Sequence, residues 1–235
     1  MAGSVALPYP RPIARLAVSA GLAEAANVLR ESGNRVVRLP AFAVTFAGAL
    51  PPRELRVRVL ILRDEDGKPV ATPEAVEPAL EEAERVLRER AGIGLRPSRE
   101  PVIATLEAPA PREALDSPCA EGSWRADFGP GGAFFRRFAE RAPASGSAAP
   151  ITVFVVRDVL GKAGCSLGPL VDHVTVDMTA LKGRTRRVLV HEIGHACGLP
   201  HSQAAENLML PKRMGDRLQP WQVAVLRSSR HVTVR

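Results

Sequence analysis

From Arg53 onward, apolar and polar positions fall into regular patterns. Val57, Val59 and Ile61 alternate with Arg56, Arg58 and Leu60, the period of two that a strand requires. Thr72 followed by Pro73 reads as a helix start; Val76, Leu80, Ala83 and Leu87 then recur at helical spacing, and Gly92 closes the segment. A second strand is predicted near Val102 to Leu106, and Phe134, Phe135 and Phe138 predict a short helix with its aromatics turned inward. Ile151 to Val156 is a near-continuous β-branched run, hence a buried strand, and His173 to Met178 reads as another. Gly164-Cys165-Ser166-Leu167-Gly168-Pro169 between them reads as a turn-rich connection. Helical character returns at about Arg186, and a last helix starts at Pro220.

Before Arg53 the pattern is weaker. A proline-rich start, Pro8 to Pro12, precedes a short Ala-rich helix near Leu22 to Arg30 that stops at Gly33, and the apolar stretch from Val36 to Leu50 suggests one or two short strands. No internal repeat is visible, and the stretches rich in Pro, Gly and Ser at 108–132 and 142–150 read as loops. The expected division is an N-terminal extension over 1–52, of undetermined role, and a single folded domain over 53–235.

Composition narrows the function classes. A chain of 235 residues that is 46% apolar can bury a full core. The net charge of +7 invites a nucleic-acid reading, but the arginines are dispersed over strand and helix and only 4% of residues are aromatic. An arginine-rich solvated surface is expected instead, with no nucleic-acid partner. The apolar runs fall well short of the roughly 20 residues that cross a bilayer, and Leu16 to Ala23, the nearest thing to a secretory signal core, runs straight into Glu24. The expectation is therefore no membrane span, no clear signal peptide and a monomer. Three cysteines are too few for a disulfide scaffold. Cys119 and Cys165 both lie in loop-like sequence and either bridge or stay apart, and Cys197 reads as a small buried side chain.

The candidate chemistry lies at residues 191–201, His-Glu-Ile-Gly-His-Ala-Cys-Gly-Leu-Pro-His. Four residues apart on a helix, His191 and His195 project from one face about one turn apart and can share a tetrahedral ion. Gly198 stands where the helix must end. A residue without Cβ can take positive φ there and turn the chain so that His201 returns as a third ligand. Three protein ligands leave one coordination position open, which marks a catalytic zinc site, where the pKa of bound water drops from 15.7 to roughly 7. Glu192 adjoins His191 and is the candidate general base for that water. With the residue frequencies of this chain, five such fixed positions arise by chance about once in 10⁵ sequences.

This segment matches the long zinc-binding consensus of the metzincins. It most resembles the matrixin branch, because Gly194 lies between the first two histidines and Ser202 follows the third. Met209, in Glu206-Asn207-Leu208-Met209, sits where that family places its Met-turn, a hydrophobic floor under the metal. The resemblance is specific over about residues 185 to 230. It implies an α+β, zincin-like fold: a twisted mixed β-sheet with the active-site helix, and a small C-terminal subdomain after the third zinc ligand. By the same analogy the segment from Ser166 to Val171 supplies an edge strand that pairs with an extended substrate, which makes Ser166, Leu167, Gly168 and Leu170 candidate substrate-binding residues. The loop of about Leu210 to Gln219, with Lys212, Arg213 and Arg217, would wall the main specificity pocket, a weak indication of acidic or polar preference there.

Departures from the family are also visible. No tyrosine follows Met209, so the tyrosine ligand of astacin-like members is absent, and the second, structural zinc of matrixins finds only His173 with Asp172 and Asp177 nearby. His173 is therefore expected to be a strand residue. Residues 1–50 contain no cysteine to act as an inhibitory segment, which leaves a lesser reading of Cys119 as a thiol latch over the metal. The resemblance implies a zinc-dependent metalloendopeptidase with one catalytic zinc, acting on a peptide or protein substrate; calcium stays open, with no acidic loop to support it. The family also suggests secretion. The alternatives are a zinc-binding protein of the same fold that does not cleave peptides, and a hydrolase of non-peptide amides.

Overall fold

A computed structural model describes residues 52–119, 129–140, 148–211 and 214–234. The helix and strands expected before residue 51, and Lys212 and Arg213, lie outside these residues. The alternation that begins at Arg53 forms β1 (Arg53–Ile61), with Leu55, Val57, Val59 and Ile61 buried. Helix α1 (Pro73–Ala91) starts after an extended Thr72 and ends at Gly92 in the left-handed region, φ +61°, whose N–H returns to Arg88 O. Its apolar face, Val76, Ala79, Ala83, Val86 and Leu87, is buried on the sheet. The fully buried Arg227 caps its C-terminal end, donating from Nη1 to Ala91 O at 2.7 Å, where the helix dipole favours a cation.

The chain continues through β2 (Ile93–Pro97), β3 (Ile103–Thr105), α2 (Arg112–Leu115), β4 (Asp116–Pro118) and α3 (Pro130–Phe138). Next come β5 (Ile151–Val156), β6 (Asp158–Leu160), β7 (Gly164–Ser166) and β8 (His173–Asp177). Two 3-10 turns, Met178–Leu181 and Gly183–Arg187, lead into α4 (Val188–Ala196), followed by α5 (Pro220–Ser228) and β9 (Val232–Val234). Strands β2, β1, β5, β8 and β7 lie side by side, and β3 and β9 also pair with β1. The pairing is parallel except that β7 runs antiparallel to β8 and β9 antiparallel to β1. The fold is thus α+β with a mixed sheet, as the zincin-like expectation requires.

Side-chain alternation divides the sheet into two faces. Val153, Val155, Val174 and Val176 meet α1 and α4 on the helix face. Phe154, Val156 and Cys165 meet Leu115 and Phe135 on the outer face. Being covered on both sides explains why β5 carries no polar alternation. Phe135 is the buried aromatic of α3, while Phe134 and Phe138 are only partly covered.

Three readings need correction. The connection between β5 and β8 is not all turn, since it contains β6 and the edge strand β7. That edge strand is Gly164–Ser166, not Ser166–Val171: Gly168 at φ +81° and Pro169, which lacks an N–H, end the ladder, leaving Leu167, Gly168 and Leu170 beyond it. Cys119 is no latch, because it is bonded to Cys165. The short β2 and β9 were not anticipated, and β9 brings the C-terminal part back onto the main sheet beside β1. Cys197 is buried and unbridged.

Candidate metal centre and active site

Helix α4 packs against α1 beneath the sheet and carries Val188, Leu189, Val190 and Ile193 into the core. That packing fixes the opposite direction for His191 and His195. Each imidazole is locked by its own backbone acceptor, His191 Nδ1–H donating to Leu208 O at 2.8 Å and His195 Nδ1–H to Leu199 O at 2.6 Å. A carbonyl can only accept, so the proton sits on Nδ1 in both rings and both Nε2 atoms present lone pairs. Burial lowers the pKa of both, with that of His195 falling to about 4, so both are neutral at pH 7.

The two Nε2 atoms are 3.1 Å apart with no proton between them. Two lone pairs at that distance repel each other unless a cation lies between. Two nitrogens on a tetrahedral zinc at about 2.05 Å stand roughly 3.3 Å apart, so the observed spacing suits that ion. His201 completes the set: the candidate ligand atoms of His191, His195 and His201 all lie within 4.8 Å of one another. Gly198 takes φ +95°, the turn that a Cβ would oppose, and the N–H groups of Gly198 and Leu199 bond back to His195 O and Gly194 O. The residues present therefore fit a zinc ion held by three imidazoles.

Met209 is fully buried against the active-site helix. A Cβ on Gly194 would stand 2.8 Å from Met209 Sδ, which is why the residue between the first two ligands is glycine. The turn carrying Met209 is tied to α5 by a buried amide pair: Asn207 Nδ2 donates to Gln222 Oε1 at 2.8 Å, Gln222 Nε2 to Asn207 Oδ1 at 3.2 Å, and Met209 N–H also reaches Asn207 Oδ1 at 2.9 Å. Through Leu208 O this network orients His191.

Glu192 is 6% exposed, and burial pushes its carboxyl up to about 8. Gly164 of the edge strand lies directly on it, since a Cβ there would stand 2.8 Å from Glu192 Cγ and 3.0 Å from Oε1. Ahead of α4, Arg187 bonds Glu82 of α1 at 2.7 Å and Met214 O at 3.4 Å. Hydrogen bonds from Arg85, opposed by burial and reinforced by Arg187, hold the Glu82 carboxyl down at about 2. Asp216 is shared by Arg85 at 3.3 Å and Arg90 at 3.1 Å, so the segment after Met209 is clamped to α1.

The structure thus brings together His191, Glu192, His195, Gly198, His201 and Met209. Ser166 lies at the end of the edge strand, and Leu167, Gly168 and Leu170 follow it. Arg217 pairs with Glu206 at 3.2 Å on the surface. His173 lies in β8, in ring contact with Phe135 at 5.4 Å and Phe154 at 5.8 Å, on the opposite face from the triad. A cavity of about 170 Å³ on that outer face, lined in part by Phe135, Leu167, His173 and Thr175, is separate from the three histidines. Sequence reasoning missed Gly164, Asn207 and Gln222. Asn207 stood in view beside Met209, but its partner is 15 residues away.

In its mixed sheet, its active-site helix and its cluster of three histidines the chain is similar to metzincin-like zinc metalloproteases. Within that class, the family model described as matrixin matches residues 172–219, the stretch from the end of the loop before β8 to the start of α5. No curated protein matches the chain. Among solved structures it is similar to metalloproteinase-II from Bacteroides fragilis, at 14% identity and a TM-score of 0.46 over 77% of this chain. It covers 54% of that protein, about half its length. It is also similar to a zinc-dependent peptidase from Methanocorpusculum labreanum, at 15% identity and a TM-score of 0.43, over 72% of this chain and 99% of that one.

Proposed function

We propose that this chain is a zinc-dependent metalloendopeptidase whose catalytic unit is residues 53–235. The observation that carries the reading is the facing pair of Nε2 lone pairs at 3.1 Å, with His201 closing the set and Glu192 one residue from the first ligand. His191, His195 and His201 would hold one zinc, and the matrixin match supports that metal. Zinc at this position supplies a Lewis acid that activates water and stabilises negative charge developing on a carbonyl oxygen.

The remaining work falls to the protein. Glu192 takes a proton from water at its carboxylate and returns it to the departing amine, a shuttle suited by a carboxyl raised toward neutrality. Gly164 and Val188 hold that carboxylate in place. The free edge of β7 offers backbone N–H and C=O groups to an extended peptide, with Ser166 at its end and Leu167, Gly168 and Leu170 continuing past it. Among the described residues no helix is long and apolar enough to cross a membrane, and the Cys119–Cys165 disulfide supports an oxidising compartment.

The test is cleavage of a mixed peptide library by the wild type and by Glu192→Ala, both carrying one zinc. The expected result is internal cleavage by the wild type and at least a 10²-fold loss in the variant. Equal cleavage by both would remove Glu192 from the mechanism, and zinc-loaded wild type that cuts nothing would favour a zinc-binding protein that does not cleave peptides.

A further inference from the structure

Lys162 occupies the turn between β6 and β7, where Leu160, Gly161 and Lys162 are all exposed, Gly161 takes φ +75°, and Lys162 N–H closes the turn on Val159 O at 2.7 Å. Two residues later comes Gly164, which lies on the Glu192 side chain. Two residues of strand span about 7 Å. Lys162 therefore stands on the edge-strand side of the site, about two residues along from the point where Glu192 acts.

Two features distinguish Lys162 from an ordinary surface lysine. Its turn is framed on several sides: β6 pairs with β4, Val159 N–H donates to the Asp177 carboxylate at 3.3 Å, and the Cys119–Cys165 bridge joins the end of β4 to β7. Its ammonium forms no ion pair with any carboxylate among the described residues, and its side-chain contact is Cys119 Sγ at 3.7 Å. Arg217, the described basic residue of the segment after Met209, is already paired with Glu206. A cation held by such a frame, with no counter-ion among the described residues, is preorganised for a charge that arrives with the substrate.

We infer that Lys162 is a specificity-determining residue that selects peptides carrying an Asp or Glu side chain two or three positions from the scissile bond, on the side where the peptide passes the β6–β7 turn. The inference rests on the peptidase reading above. A peptide paired to β7 places alternate side chains on the same side as the turn, so one substrate position alone meets the ammonium. An exposed ion pair of this kind discriminates by a few-fold, about 5-fold at its strongest, and weakens with salt.

The test uses the full chain loaded with zinc, as wild type, Lys162→Met and Lys162→Glu, on one peptide library. The wild type is expected to enrich Asp and Glu at a single position two or three residues from the cut. Lys162→Met should lose that enrichment, and Lys162→Glu should turn it toward Lys and Arg, with preferences elsewhere unchanged. On a matched peptide pair differing as Glu against Gln at that position, the discrimination should lie in KM, with kcat equal, and should fade at high salt. A lysine that only supports the turn would lower cleavage of both peptides alike, and that outcome overturns the inference. So does cleavage without acidic preference, or preference retained in Lys162→Met, and in those cases the peptidase reading stands. A zinc-loaded wild type that cuts none of the library overturns both.

Discussion

His195 and His231 are both buried imidazoles whose pKa burial drives far down, to about 4 and about 3, and both donate from Nδ1 to a backbone carbonyl, Leu199 O and Ala149 O. By burial and titration the two are near twins. They differ in what the other nitrogen faces. His195 Nε2 looks at a second lone pair 3.1 Å away, whereas His231 Nε2 is buried beside the C-terminal strand with no hydrogen-bond partner among the described residues. A depressed histidine pKa therefore marks burial, and convergence of lone pairs marks a metal site.

The largest effect expected follows from that contrast. His195→Ala should lower zinc affinity by roughly 10²-fold or more, at about 3 kcal/mol per ligand if the 10–16 kcal/mol of a four-ligand site is shared equally, and should abolish cleavage. His231→Gln should leave zinc content and affinity at the wild-type level. Metal analysis and competition with a chelator decide the matter, and equal loss of zinc in both variants would break the distinction.

Gly164→Ala comes next and separates holding the metal from using it. A methyl group there meets Glu192 Cγ at 2.8 Å and Val188 Cγ2 at 2.9 Å, so the carboxylate must move. A displacement approaching 1 Å costs up to about 10²-fold in kcat/KM, while the three imidazoles are untouched. Full zinc content with cleavage reduced 10-fold or more is the expected outcome, and unchanged kcat/KM would show that Glu192 adapts.

What was legible in the sequence follows the same division. His191, Glu192, His195, Gly198 and His201 lie within eleven residues, so helix geometry and one turn suffice to assemble them. Strand β1 and helix α1 carry long periodic patterns, and β5 and β8 are short runs rich in β-branched residues, so all four can be read directly. Gly164 was hidden, because its role comes from a side chain on a helix 28 residues later, which no local pattern reports. Strand β7 reads as turn in the sequence because three residues bounded by Gly161 and Gly168 carry no period, and its existence depends on pairing with β8. Asn207 and Gln222 likewise gain meaning only from their contact.

That amide pair sets a third, smaller expectation. Gln222→Ala leaves Asn207 Nδ2 buried without its acceptor and also removes the acceptor of Gln219 N–H. The cost should be about 1–3 kcal/mol in denaturant unfolding, with a zinc affinity loss of 10-fold or less, because Leu208 O would orient His191 less firmly. A stability change below a few tenths of a kcal/mol would show that the turn carrying Met209 holds without α5.

The smallest effect concerns His231 alone and tests the other half of the contrast. Its folded pKa, about 3, lies below the unfolded value near 6.5, so between these limits the unfolded chain binds a proton that the folded chain does not. Stability is fully present above pH 6.5 and is lost as pH falls toward 3, with a slope of at most about 1.4 kcal/mol per pH unit from this group. Glu82, held at about 2, contributes a loss of the same sign, but only below its ordinary range near 4.5. The metal-free wild type and metal-free His231→Gln share the contributions of Glu82, His191 and His195, so the difference between their unfolding free energies isolates His231. That difference should narrow from pH 6.5 to 5.5 by up to about 1.4 kcal/mol, because only the wild type pays the proton linkage. Parallel curves over this window would mean that His231 is protonated in the folded state, and the two histidines would then differ in charge as well as in geometry.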